Sequence, residues 1–225
     1  MPEKAIATAP TSTVRPGRRA SVESRTLSFY MRTARPNGPF GLTRFYRILP
    51  VQLAYALLVP DDVHNWTRRR SFELVERYGG RLSTVGPHVT IKNGFEAETA
   101  AQYENYLDRL AAETEPFELA LHGYGFFEAP AWVVFLEVEQ RDELRTLHRR
   151  VLDDLALEPA QFEGADLHFH ATLALDLPPD AHARARTKLT DEPTPRFRFP
   201  LERIALARYA EELGIWTTYR IAAVA

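Results

Sequence analysis

Two short stretches of this chain carry histidine and threonine at alternate positions. The first is residues 87–92, P-H-V-T-I-K, and the second is residues 167–173, L-H-F-H-A-T-L. This alternation of polar and apolar residues predicts β-strands, because successive side chains of a strand point to opposite faces of a sheet. Each strand would bury its apolar face and leave its histidines and threonines on the other face. A row of such side chains adds nothing to a core and is typical of a ligand-contacting surface.

The polar faces of the two strands contain the residue types needed for acid and base catalysis on a phosphodiester. Histidine has an ordinary pKa near 6.5, so one copy can accept a proton while another donates one near neutral pH. A threonine hydroxyl can donate a hydrogen bond to a non-bridging phosphate oxygen. We therefore predict His88 and His170 as catalytic residues, with Thr90 and Thr172 binding the substrate phosphate. The predicted polar faces comprise His88, Thr90 and Lys92 on the first strand and Asp166, His168, His170 and Thr172 on the second.

The paired motifs His88-Val89-Thr90 and His170-Ala171-Thr172 resemble the signature of the two-histidine (2H) phosphoesterases, in particular the 2′-5′ RNA ligase and cyclic phosphodiesterase family. The resemblance implies an α+β fold with two similar sheet-plus-helix lobes around a central cleft, each lobe supplying one motif. It also implies a metal-independent phosphodiesterase without a cofactor that opens a 2′,3′-cyclic, 1″,2″-cyclic or 2′-5′ phosphodiester, with reverse RNA ligation as a related activity. RNA ends or small nucleotide cyclic phosphates are the implied substrates, and no obligate protein partner is expected.

Two further residues are candidate phosphate ligands. Members of the family often have proline before the second histidine and arginine three residues past its threonine, where this chain has Phe169 and Leu175. Lys92, two residues past Thr90, supplies a basic group to the first motif, and His168 could supply one to the second. The alternatives are a solvated charge for Lys92 and a position at the rim of the site for His168.

Two other functions compete with this interpretation. Asp166, His168 and His170 share one predicted strand face, as three metal ligands would, which favours a metal-dependent hydrolase. That alternative leaves the threonines and the first motif unexplained. A non-catalytic RNA-binding protein of the same fold is the second alternative, with the basic N-terminal segment supplying affinity.

The remaining sequence predicts alternating strands and helices from residue 49 onward. Short apolar runs are separated by amphipathic stretches, in the order β-α-β-α-β followed by β-α-β-α-β-β, which is close to a repetition. We predict strands at residues 52–59, 87–95, 117–127, 132–138, 166–175, 197–208 and 215–223, and helices at 61–78, 98–113, 141–155 and 178–189.

The N-terminal segment has a different composition. Residues 1–50 carry nine Lys or Arg and two acidic residues, a balance of +7, within an overall net charge of -2. Proline and glycine interrupt this segment, and it shows neither helical nor strand periodicity. We predict a disordered basic tail at residues 1–45, or sequence upstream of a start at Met31, and one two-lobed domain at residues 46–225. A transit-like peptide or a nucleic-acid-binding arm is the alternative.

Composition excludes several classes of protein. The chain has no cysteine, which excludes disulfides, thiolate metal sites and a cysteine nucleophile and fits a reducing compartment. We expect a cytoplasmic location. No apolar run approaches the roughly 18 to 20 residues that a membrane-spanning helix needs, so no membrane segment is expected.

Overall fold

The structure, a computed structural model, describes residues 50–164 and 167–225. The predicted basic tail at residues 1–45 and Asp166 lie outside the described residues. No helix of the described part is long and apolar enough to cross a membrane. In chain order the elements are β1 Val51–Leu58, α1 Asp61–Tyr78, β2 His88–Ala97, α2 Ala101–Glu113, β3 Glu118–Phe127, β4 Val133–Val138, α3 Asp142–Leu155, β5 His170–Ala174, α4 Pro179–Thr190, β6 Arg196–Pro200, β7 Arg203–Ala210 and β8 Ile215–Ala223.

The strands form one antiparallel sheet in the order β6-β3-β4-β5-β2-β1-β7-β8. Strands β6, β3, β4 and β5 make one half, strands β2, β1, β7 and β8 make the other, and β5 pairs with β2 at the centre. Each half contains a β-α-β-α segment, β1-α1-β2-α2 in one and β4-α3-β5-α4 in the other. The predicted α+β fold with two similar sheet-plus-helix lobes is confirmed.

Helix α1 illustrates how the local sequence sets these elements. Asp61 and Asp62 lie in its first turn, where the positive end of the helix dipole stabilises negative charge. Gly79, with φ 79°, ends the helix, and its N–H donates to the carbonyl of Val75. The buried residues of α1 recur three or four positions apart and are Val63, Thr67, Ser71, Leu74 and Tyr78. This spacing places them on one face of the helix, which packs against the sheet.

The helices cross the boundary between the two halves. Helix α1 follows β1 but packs against β5, and α3 follows β4 but packs against β2. His148 of α3 is buried, and its Nδ1 donates to the carbonyl oxygen of Ile91 on β2 at 2.6 Å. Because β2 and β5 share one pair of Cα partners, this cross-packing supplies most of the contact that holds the halves together.

The prediction of a single strand at residues 197–208 is wrong. The segment forms two strands, β6 and β7, separated by Leu201 and Glu202. Strand β6 pairs with β3 and β7 pairs with β1, so they lie near opposite ends of the sheet order. Three residue steps span at most about 11 Å, and the two ends of the sheet must therefore approach each other. The sheet is strongly curled as a result.

Candidate active site

The two motif strands meet at the centre of the curled sheet. Val89 of β2 and Ala171 of β5 are Cα partners in the antiparallel pair. Both residues are fully buried, each with 0% of its surface exposed. Since side chains alternate along a strand, the residues on either side of Val89 and of Ala171 point to the opposite face. All four predicted motif side chains therefore share the face that is not packed against helices.

The antiparallel register places the four motif side chains across from one another. Extended by one residue to either side of the pair Val89 and Ala171, the register puts His88 across from Thr172 and Thr90 across from His170. Directly opposite residues of an antiparallel pair have Cβ atoms about 4.5 to 5.5 Å apart. Each histidine thus has the threonine of the other motif as its nearest cross-strand neighbour. The arrangement has a local two-fold symmetry, with an imidazole at two diagonal corners and a hydroxyl at the other two.

Both imidazoles are held by the same kind of hydrogen bond, from Nδ1 to a backbone carbonyl oxygen. Nδ1 of His88 lies 2.7 Å from the carbonyl oxygen of Gly86, and Nδ1 of His170 lies 2.8 Å from the carbonyl oxygen of His168. A carbonyl oxygen only accepts, so Nδ1 is the donor in each case. The neutral ring then carries its lone pair on Nε2, and the protonated ring carries its second proton there. Nε2 is therefore the atom that accepts or releases a proton in both residues.

The surroundings favour the neutral form of both imidazoles. Burial lowers the pKa of His88 below its ordinary value of 6.5, against the opposing effect of the hydrogen bond to Gly86. Burial also lowers the pKa of His170, and the neighbouring imidazoles of His168 and His88 lower it further. An anion bound between the rings would favour their protonated forms and raise both pKa values.

The predicted phosphate ligand His168 lies beside His170, although it precedes β5 rather than belonging to the strand. The two rings are nearly parallel, with centroids 6.5 Å apart and planes 28° apart. Nε2 of His168 lies 2.8 Å from Oε2 of Glu137, which is the Cα partner of His170 on β4. His168 is therefore held next to the second motif by a carboxylate.

Two phenylalanine rings pack against His170. The ring centroids of Phe127 and Phe135 lie 4.9 and 5.1 Å from that of His170. Gly125 is the Cα partner of Phe135, and a Cβ on Gly125 would lie 2.1 Å from the Phe135 ring. Glycine at this position is what leaves room for the ring. The second motif therefore faces an aromatic surface, and His170 is half-buried against it.

Lys92 lies in the interior of the protein, so the structure does not support its predicted contact with phosphate. The register between β1 and β2 shifts after the pair Ala56 and Thr90, and Lys92 becomes the partner of the fully buried Tyr55. Strict alternation would place Lys92 on the same face of the sheet as Thr90. The β-bulge instead turns Lys92 to the opposite face, which is buried. Lys92 is 1% exposed, and its Nζ lies 2.7 Å from Oε2 of Glu163.

The partner of Lys92 is held in its charged form. Burial raises the pKa of Glu163, but hydrogen bonds from Lys92 and from the backbone amides of Asn93 and Ala160 outweigh this and leave the pKa below its usual range. The result is a buried ion pair, in which loss of one partner typically costs about 3 to 5 kcal/mol. This pair joins the segment before β5 to strand β2.

A cavity of about 450 Å³ adjoins the first motif. His88 and Thr90 line it at one side, and Tyr209 and Trp216 line it from β7 and β8. The centroids of these two aromatic rings are 5.5 Å apart, with their planes 56° apart. Small side chains on β1 and β7 leave the space open, namely Ala54, Ala56 and Ala207. The site therefore has an open side next to His88 and an aromatic surface next to His170.

The structure does not test the alternative metal site formed by Asp166, His168 and His170. Asp166 lies outside the described residues, and His168 and His170 are engaged by Glu137 and by a backbone carbonyl. Within residues 50–164 and 167–225, no three His, Asp or Glu side chains converge as metal ligands would. The metal-dependent alternative stays a prediction.

Sequence reasoning did not find Glu137 or Arg81 as residues of this site. Glu137 had a visible signal, because it is the one charged residue in the apolar strand Val133–Val138. Arg81 directly follows the Gly79-Gly80 pair and lines the cavity, and nothing in the sequence around it indicates that role.

Fold and site together define a class of protein, the two-histidine phosphoesterases. The family model described as the 2′-5′ RNA ligase superfamily matches residues 59–213, and the chain belongs to this superfamily. A relative called putative phosphoesterase, from Geobacillus thermodenitrificans, is 30% identical over 146 residues, which are 64% of this chain and 82% of the relative.

Solved structures share the fold. TT0787 of Thermus thermophilus superposes with a TM-score of 0.53 and 20% identity, over 77% of this chain and 97% of that chain. E. coli LigT in its complex with 3′-AMP gives a TM-score of 0.51 and 21% identity, over 78% of this chain and 99% of that one. Family and fold support a phosphoesterase.

Proposed function

We propose that this chain is a metal-independent phosphodiesterase that opens a cyclic or 2′-5′ phosphodiester of a nucleotide or RNA end. His88 and His170 act as the general acid and base through their Nε2 atoms. One imidazole takes a proton from the attacking water, and the other gives a proton to the leaving ribose oxygen. Thr90 and Thr172 donate hydrogen bonds to the non-bridging oxygens, where negative charge increases in the transition state.

The observation that carries this proposal is the cross-paired register of the two motifs. A phosphorus atom centred above Val89 and Ala171 would have an imidazole at each of two diagonal corners and a hydroxyl at each of the other two. In-line displacement needs the base and the acid on opposite sides of phosphorus, which is the relation between the diagonal corners. The hydrogen bonds to the Gly86 and His168 carbonyls keep both Nε2 atoms available.

The electrostatics of the site favour a diester over a doubly charged monoester. A monoester would need two positive charges to neutralise it, and the imidazoles, which are neutral before the substrate binds, do not supply them. A diester carries one negative charge. A bound diester raises the pKa of both rings, and the ring that takes up a proton becomes the acid. His168, held by Glu137 beside His170, is the candidate for a further hydrogen bond to the phosphate.

The cavity beside His88 has the size and lining expected for a nucleoside. Ligand cavities are commonly about 300 to 1,000 Å³, and this one is about 450 Å³. The half-buried side chains of Tyr209 and Trp216 present aromatic surface on which a base can stack. E. coli LigT, which has the same fold, has been crystallised with 3′-AMP. This supports a nucleotide or an RNA terminus as the substrate.

The test is hydrolysis of a substrate panel in the presence of a chelator. The panel contains 2′,3′-cyclic nucleotides, ADP-ribose 1″,2″-cyclic phosphate and 2′-5′ dinucleotides, each with EDTA or with added divalent metal. We expect at least one substrate to be hydrolysed at the same rate in both conditions. No hydrolysis of any substrate, or activity that EDTA abolishes and metal restores, would refute the proposal. RNA binding without hydrolysis would favour the non-catalytic alternative.

A further inference from the structure

We infer that Arg81 binds the phosphate group of a nucleotide in the cavity. In the absence of a nucleotide, Asp176 forms an ion pair with Arg81. This inference deepens the proposed function by naming a phosphate ligand outside the two motifs. It rests on the charges that line the cavity, on the position of Arg81 and on the exposure of its ion pair.

Arg81 is the permanently charged side chain of the cavity. Among the described residues that line it, Arg81 is the one Lys or Arg side chain, and no Asp or Glu lines it. The nearby ammonium of Lys92 is already neutralised by Glu163. A nucleotide phosphate that enters the cavity therefore has one guanidinium available to it. Guanidinium groups suit phosphate because two parallel N–H groups can bind two oxygens.

The backbone holds Arg81 at this place. Arg81 and Leu175 form an isolated antiparallel bridge, with N to O distances of 2.7 and 2.9 Å. Gly80 makes this approach possible, because a Cβ on Gly80 would lie 2.4 Å from the carbonyl oxygen of Leu175. The bridge ties the segment after α1 to the end of β5, which carries the second motif. Arg81 thus lines the cavity next to the end of the strand that carries the second motif.

A phosphate can replace Asp176 as the partner of Arg81, because their ion pair is exposed to solvent. Nε of Arg81 lies 2.7 Å from Oδ2 of Asp176, and Nη2 contacts the same oxygen. The two side chains are 72% and 50% exposed, and such solvated pairs contribute little to stability. Asp176 lies in the left-handed region, with φ 51°, so its carboxylate is presented from a tight turn directly after Leu175. A phosphate, which can accept from the two N–H groups through two oxygens, would compete with Asp176, which accepts through one oxygen.

Opposite effects of two substitutions test this inference. We expect Arg81→Met to weaken the binding of 2′-AMP about tenfold, because one charge-assisted contact is lost. We expect Asp176→Asn to tighten it about threefold, because the competitor loses its charge, and asparagine keeps the left-handed backbone. Calorimetry with 2′-AMP and with adenosine measures both, and the affinity for adenosine should not change.

The exposed pair Arg184 and Asp180 on α4 provides matched controls. These residues also form a solvated ion pair, with a distance of 2.6 Å and exposures of 62% and 75%. Arg184→Met and Asp180→Asn make the same charge changes away from the cavity and should leave 2′-AMP binding as it was. If Arg81→Met and Asp176→Asn both weaken binding, or neither changes it, Arg81 has a structural role and the inference is wrong. Because the readout is binding, this result is independent of whether the enzyme hydrolyses any diester.

Discussion

His88 and His170 have matching backbone geometry but different surroundings. Each donates Nδ1 to the carbonyl oxygen two residues earlier, and each lies across from the threonine of the other motif. The side of His88 opens into the cavity that Trp216 lines, whereas Phe127 and other aromatic groups pack against His170. The shared features concern proton transfer and phosphate contact. The differing features concern which side of the phosphate carries the nucleoside.

This comparison separates two kinds of expected effect. Substitutions that act on the symmetric part of the site should change turnover to a similar extent in both halves. Substitutions of the flanking aromatic residues should have different effects on the two sides, with substrate affinity altered beside His88 and the proton affinity of the imidazole altered beside His170.

After the loss of the histidines themselves, the largest of these effects concerns the threonines. Thr90→Val and Thr172→Val each remove a donor to the charged phosphate, and we expect kcat to fall about tenfold to a hundredfold in each variant. The two losses should agree within about threefold because the positions are related by the local symmetry. Steady-state kinetics on the best cyclic substrate measures this. Thr90→Ser and Thr172→Ser keep the hydroxyl and should retain most activity, and a full loss in the serine variants would contradict the assigned role.

A smaller effect is expected from Trp216, one of the two aromatic residues that line the cavity from β7 and β8. Trp216→Ala should raise KM for nucleotide substrates about tenfold, since loss of base stacking typically costs about 1 to 3 kcal/mol. The value of kcat should change little, because Trp216 is not next to the reacting atoms. Trp216→Phe keeps a stacking surface and serves as the matched control. A fall in kcat with KM unaltered would place the nucleoside elsewhere.

The smallest effect is a shift in pH dependence. Because the pKa values of both histidines are lowered from 6.5, the singly protonated pair is most abundant below that pH. We therefore expect kcat/KM to peak below about pH 6.5. Phe127→Ala admits water to His170, raises its pKa and should move the alkaline limb to higher pH.

Phe126→Ala is the control for this shift, because the ring of Phe126 packs against His182 at 5.8 Å rather than against His170. Its pH profile should match that of the unmodified protein. A kcat/KM optimum above pH 7 in the unmodified protein, or an equal shift in both variants, would contradict the assigned environments.

Much of the fold was predictable because it depends on local patterns. Alternation identified the strands that carry His88 and His170. Gly79 identified the end of α1, and the acidic residues Asp61 and Asp62, predicted as its cap, lie in its first turn. The strand predicted at 197–208 failed because its apolar alternation continues through Pro200 while the chain passes from β6 to β7. That break depends on the partners of the two strands, which the local sequence does not contain.

The same limit applies to the site. The alternation rule placed Lys92 with Thr90, but the register shift against β1 turned it into the interior. The opposition of each histidine to the other threonine depends on how β2 and β5 align, and no pattern within either strand specifies that register. Arg81 reaches the cavity through its bridge to Leu175, a contact between residues far apart in the chain.

The most direct test of the central claim is the kinetics of His88→Ala, His170→Ala and the double variant on a cyclic phosphodiester, with the exposed His122→Ala as control. An acid and a base that act on one phosphate work as a unit, so each single variant should lose about a hundredfold or more in kcat/KM. The double variant should lose little beyond the worse single one. Full activity in either single variant, or losses that multiply in the double variant, would contradict joint action of the two imidazoles.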